Sequence, residues 1–250
     1  MKKVILLGTI ACFCATSYTA KAGDGDHTIE IQAKGGANST WLFNNNISNA
    51  GNEQNYAAGW GFNYGVAFNM YFGNVGFGVE GLLSNHKGAY SGAIDIKDTL
   101  GTLLKTINYT SNVNLKVTQI PVMFKWKSEI GGYLEIGPQF NMVTSAMYHY
   151  TDDNTVKKDT SFSVANSYSK SFISAVIGFG FKIPIKKSRV SILGGIRLNY
   201  GLQDIKGIDA LGRELIDPFV YPKGPEKTSA ASGGLMLGVV YTLGEKKDKK

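Results

Sequence analysis

Hydrophobic residues recur at every second position through most of this chain, in runs broken by polar stretches. Between residues 60 and 72, Trp60, Phe62, Tyr64, Val66, Phe68, Met70 and Phe72 fall on one side of an extended backbone. Gly61, Asn63, Gly65, Ala67, Asn69 and Tyr71 fall on the other. Side chains of a strand alternate between faces, so this is a strand with one bulky apolar face and one small, polar face. The same reading gives strands over about 27–43, 75–90, 112–127, 133–150, 171–185, 189–203 and 231–244. Eight strands result, joined alternately by short turns and by long polar loops at 44–57, 91–112, 151–168 and 204–230. In the fourth strand the apolar positions change from odd (Val113, Leu115, Val117) to even (Ile120, Val122, Phe124, Trp126). A slip of one residue is what a β-bulge produces, and Pro121 lies beside it, so a bulge is expected near Thr118 to Pro121.

Eight alternating strands fit two closed barrels: a soluble calyx with an apolar interior, or a membrane barrel with an apolar exterior. The smaller face decides. A water-facing wall would be rich in Lys, Glu and Arg, whereas this face carries Gly, Asn and Ala with an occasional charge. Such residues suit the narrow lumen of an eight-stranded barrel, which large aromatics would overfill. The bulky face is therefore expected to meet lipid. Aromatics near both strand ends read as two interfacial girdles: Phe72, Trp126, Tyr133 and Tyr241 by the short turns, and Trp60, Tyr148, Tyr150 and Tyr200 by the loops. The expected fold is all-β, an eight-stranded antiparallel up-and-down transmembrane barrel. Its long loops are expected outside the cell and both termini in the periplasm.

The N-terminus changes the compartment. Lys2 and Lys3, an apolar run from Val4 to Ala15, and Ala20-Lys21-Ala22 form a secretory signal with a small-x-small cleavage site. The expected organisation is a signal over 1–22, a barrel over 23–244 and a basic periplasmic tail over 245–250. A short membrane anchor and lipoprotein processing at Cys12 are the weaker alternatives. Cys12 and Cys14, the chain's two cysteines, both fall inside the signal. No disulfide, thiol chemistry or Cys-based metal site is then expected in the mature chain. Removal of the signal lowers the formal charge from +7 to +4, too modest an excess for a nucleic-acid footprint.

"IQAKGGANST", "TQIPVMFKWK", "LEIGPQFNMV" and "SAVIGFGFKIP" resemble segments of the PorT-type outer-membrane β-barrel family of Bacteroidetes-like bacteria, with "QIP" and "IGP" the most telling. The resemblance covers nearly the whole mature chain and implies the same eight-stranded barrel. It also implies a possible place in a machine that secretes proteins across the outer membrane. The chain departs from the usual barrel ending, since Leu243 and a basic tail follow Tyr241 where a terminal aromatic is common.

Chemistry is sparse. Glu30, Lys34, Glu80, Glu135, Lys182 and Arg197 fall on the lumen face and are expected to pair structurally, because either sign buried alone is costly. His86 and His149, near Ser84 and Asp152, raise a lipid A-modifying hydrolase or acyltransferase as an alternative, but no tight His–Ser spacing accompanies them. Thr151-Asp152-Asp153 lacks the spacing of a calcium loop, and "GNE" lacks the context of a phosphate cradle. No catalytic residue, metal or cofactor is expected. The partners expected are outer-membrane lipid and lipopolysaccharide, with a secretion-complex protein as an alternative. The chain is read as a monomer that works through its loops as a structural or binding protein at the surface.

Overall fold

The computed structural model describes residues 27–153 and 160–243. The expected signal and its cysteines, and the tail over 245–250, lie outside the described residues. The main strands are β1 (His27–Phe43), β3 (Gly59–Phe72), β4 (Val75–Lys97), β5 (Leu103–Lys127), β6 (Gly132–Asp152), β8 (Ser171–Pro184), β9 (Val190–Gly201) and β10 (Ser229–Leu243). Each pairs antiparallel with the next, and β10 returns to pair with β1 from Ile29↔Leu243 to Phe43↔Ser229. Eight strands thus close into a ring, which removes free sheet edges from the wall. The last strand closes the ring although it lacks the usual terminal aromatic. Two short strands, β2 (Asn55–Ala57) and β7 (Thr160–Ser163), attach to the outer parts of β4 and β6.

One end of the ring carries tight turns. Gly73, at φ +63°, makes the reversal between β3 and β4 in a backbone conformation that other residues adopt only under strain. The other end carries loops, one of which is shorter than the polarity of the sequence suggested. The stretch 91–112 is mostly strand: β4 runs to Lys97, β5 starts at Leu103, and only 98–102 turn between them. Asn, Ser and Thr there pair across a hairpin, so polarity reflects exposure and not absence of structure. The loop 44–58 contains one helical turn (Asn45–Ser48), capped by the Asn44 side chain accepting from the Asn46 N–H, and then β2.

The expected bulge in β5 is absent. β4 and β5 keep one register from Val79↔Val122 to Leu82↔Gln119, and odd residues of β5 face inward from Tyr109 to Lys125. What changes along β5 is the solvent on each side. Near the turns the inside is polar and the outside apolar; near the loops Val113, Leu115 and Val117 point into a buried apolar core. The actual bulge is in β6, where Lys116 pairs with Ser145 and Val117 with Val143, leaving Thr144 extra. Below Thr144 the odd residues of β6 face inward; above it Ala146 and Tyr148 do. This also corrects the girdles. Tyr148 and Tyr150 belong to the internal core and Tyr133 shares the inward face of Glu135, while Trp60, Tyr200, Phe72, Trp126 and Tyr241 remain on the outer wall.

Candidate functional site

Seven charged side chains in the turn-end half of the barrel are joined by ion pairs. Glu30 and Lys34 come from β1, Glu80 from β4, Lys125 from β5, Glu135 from β6, Lys182 from β8 and Arg197 from β9. Arg197 lies between the two central carboxylates. Its Nη1 donates to Glu80 Oε2 at 2.7 Å, its Nη2 to Glu80 Oε1 at 3.0 Å, and its Nε to Glu135 Oε1 at 3.0 Å. Lys125 bridges the same pair, donating to Glu135 Oε2 at 2.8 Å and Glu80 Oε1 at 3.2 Å, and Lys34 donates to Glu80. Lys182 donates to Glu30 as a separate pair nearer the turns.

The geometry follows from register. Lys125 stands directly opposite Glu135, Glu135 opposite Gly178, and Gly178 opposite Arg197. Gly178 leaves the space that the Glu135 side chain crosses: a Cβ there would lie 2.7 Å from its carboxylate oxygen. Both carboxylates therefore meet fork and ammonium donors with little water nearby, the condition under which buried charge is tolerated. Lys125 is the member that the sequence reading passed over. Strict alternation through Phe124 and Trp126 places it inward, but the supposed bulge two turns of the ladder away obscured that parity.

Beyond the charges lies a layer of buried Gln119, Gln139, Asn141 and Asn199. Asn141 Nδ2 donates to Ser174 Oγ at 2.8 Å and Gln139 Nε2 to Asn141 Oδ1 at 2.7 Å. The mouth is then filled by the apolar core. Leu42, Tyr90, Leu115, Tyr148 and Phe172 come from the wall, and Ile205, Ile208, Ala210 and Leu215 from the segment between β9 and β10.

Asp209 latches that segment. Its carboxylate accepts from the backbone N–H of Leu211 and Arg213, from Arg213 Nε at 2.7 Å, from the Tyr221 hydroxyl at 2.7 Å and from Gln54 Nε2 at 3.3 Å. Burial pushes the Tyr221 hydroxyl up to about 12, and its hydrogen bond to Asp209 acts in the same direction. The Ala210 carbonyl accepts from Tyr148 and Ser111 on the wall. Nothing periodic marks Asp209 in the sequence; its aspartate-turn context, "DALGR", is the one local signal.

The histidines are not brought together. His86 faces inward, its Nε2 3.0 Å from Gln119 Nε2, whereas His149 faces outward and exposed. Trp60, Phe62, Tyr64, Val66, Phe68, Met70 and Phe72 all lie on the outer wall by the alternation of β3, with Phe68 and Met70 half-buried among neighbours. "QIP" and "IGP" sit on adjacent strands, with Pro121 opposite Gln139.

A closed antiparallel ring of eight strands, apolar outside and charged within, defines a β-barrel built to sit in a bilayer. Residues 17–207 match the family described as the outer membrane protein beta-barrel domain, and the chain belongs to that family. It is therefore an integral outer-membrane barrel. No curated protein matches the chain in sequence. Solved structures similar to it include Neisserial surface protein A, at 12% identity over 85% of this chain and 96% of that one, with a TM-score of 0.39. Ail of Yersinia pestis is 11% identical over 86% and 98%, TM-score 0.36. OprG of Pseudomonas aeruginosa is 14% identical over 88% and 97%, TM-score 0.33.

Proposed function

We propose that this barrel is a non-enzymatic surface protein whose loop end faces outside the cell and does the binding. The observation that carries this reading is the filled mouth. The apolar core and the Asp209 latch occupy the lumen where a solute would have to pass, and the charge cluster closes it again below. What remains free is the rim: a β4–β5 ribbon whose tip extends beyond its neighbours, and the exposed side of the 202–228 segment. Leu100 at the ribbon tip is 89% exposed and Phe219 on the segment 96%, an apolar surface of the kind used for contacts.

The deciding experiment is reaction of intact cells with a membrane-impermeant maleimide, using a single cysteine at Thr99 or Asn74. Labelling at Thr99 alone is the expected result. Labelling at Asn74 alone would invert the barrel and remove the reading. A part in protein secretion is the second reading, favoured by the PorT-type segments meeting on β5 and β6. It predicts co-purification with secretion components and lost export on deletion. A lipid A-modifying enzyme is the third; lipid A of unchanged mass on deletion would dismiss it.

A further inference from the structure

The outer wall is almost free of charge. On the outward faces of β1, β3, β6, β8, β9 and β10 there is no Lys, Arg, Asp or Glu among the described residues. The exceptions are on the β4–β5 pair. Moving from the turns toward the loops, the outward residues of β4 are Val75, Phe77, Val79, Gly81 and Leu83, then Asn85 and Lys87. Those of β5 are Trp126, Phe124, Val122, Ile120 and Thr118, then Lys116 and Asn114. The first polar row beyond the apolar belt is thus Asn85 opposite Lys116, and the next is Lys87 opposite Asn114.

These four side chains make a two-by-two block. The lysines are diagonal neighbours, about 7–8 Å apart at their bases, close enough for both ammonium groups to reach one anion. Neither has a carboxylate partner among the described residues. The other outward charges on this pair, Asp95 and Lys97, lie out toward the ribbon tip, and Asp95 accepts from Thr106 instead. Both asparagines keep a buried amide oxygen without a hydrogen-bond partner among the described residues. Trp60, outward on β3 and 63% exposed, stands on the β4 side of the block at the height where aromatic rings mark a bilayer surface. At Thr144, the β6 bulge, a hydroxyl bonded to the Lys116 carbonyl closes the opposite side.

We propose that Asn85, Lys87, Asn114 and Lys116 form an external site for the phosphorylated sugar headgroup of an outer-leaflet glycolipid. Two cations match a phosphate. The two amide N–H₂ groups can donate to the oxygens of a sugar, which a simple phospholipid headgroup supplies less well. The acyl chains would lie along the belt formed by Leu83, Val79, Ile120 and Val122. This site rests on the proposed orientation, because only the outer leaflet offers such a glycolipid.

The test is native mass spectrometry of the full chain, purified in mild detergent, with bisphosphorylated lipid A, dephosphorylated lipid A and phosphatidylglycerol. Retention of the bisphosphorylated form at least about tenfold above the other two is expected. K87Q/K116Q should lose that margin and K87R/K116R should keep it, both still showing the heat-dependent gel shift of a folded barrel. Equal retention by K87Q/K116Q and wild type would overturn the site. Equal retention of dephosphorylated lipid A or of phosphatidylglycerol would overturn the phosphorylated-sugar assignment. The Thr99 labelling separates the two readings. A labelled tip with retention indifferent to K87Q/K116Q fails the site alone; an unlabelled tip with lysine-dependent retention fails the orientation, and the lysine pair then faces no outer-leaflet glycolipid.

Discussion

Arg197 is the residue whose loss the barrel should feel most. Replacing it by Ala leaves Glu80 and Glu135 facing each other with Lys34 and Lys125 as their remaining donors. Removing one partner of a buried ionic group costs about 3–5 kcal/mol. We therefore expect urea unfolding of R197A in vesicles to shift by that amount, and E80Q/R197Q to lose less than the sum of its single changes. At the mouth, the Tyr221 hydroxyl has a raised pKa and so stabilises the folded latch in its protonated form. That contribution is complete below tyrosine's ordinary value of about 10, and is lost as pH rises through about 12. Proteolysis at 202–228 should accelerate across this window in the wild type, and Y221F should remove that part of the alkaline dependence. Alternation made Glu30, Lys34, Glu80, Glu135, Lys182 and Arg197 legible as inward residues. It could not show which carboxylate meets which cation, because that depends on ladder register between strands up to 152 residues apart in sequence.

Single elements were legible where one solvent lay on each side for their whole length. β3 fits that description, and its limits in sequence and structure nearly coincide. β5 does not, since it passes from lipid outside and a charged lumen inside to water outside and an apolar core inside. Hydrophobicity then changes parity although the backbone does not, which imitates a bulge. The true bulge in β6 escaped notice because Val143, Thr144 and Ser145 offer little hydrophobic contrast. Its consequence is specific: deleting Thr144 takes out the extra residue and leaves Val143 and Ser145 on their present partners, whereas one alanine inserted after Ala146 moves every residue of β6 above it to the opposite face. In the insertion variant Tyr148 would leave the core and His149 would enter it. We expect the insertion variant to keep the lower barrel, lose about 2–5 kcal/mol as for a large core truncation, and become cleavable by chymotrypsin near Tyr148, and the Thr144 deletion to do neither.

For the whole molecule, closure of the ring and filling of the mouth make it a plug more than a pore. Planar-bilayer recordings of the wild type should show no stepwise conductance. Removing 205–215 should expose the amide layer yet still give little current, because the Glu80–Arg197–Glu135 group spans the lumen below it; further replacement by R197A should raise conductance several-fold. The change of hydrophobic parity on β5 falls at one height in the barrel wall. Leu83, Thr118 and Met142 lie side by side across three strands, with greasy outward neighbours on one side and Asn85, Lys116 and Thr144 on the other. They trace a waterline. Because the chain writes that line into its own alternation, the level at which the barrel floats is set by where its hydrophobic pattern changes step.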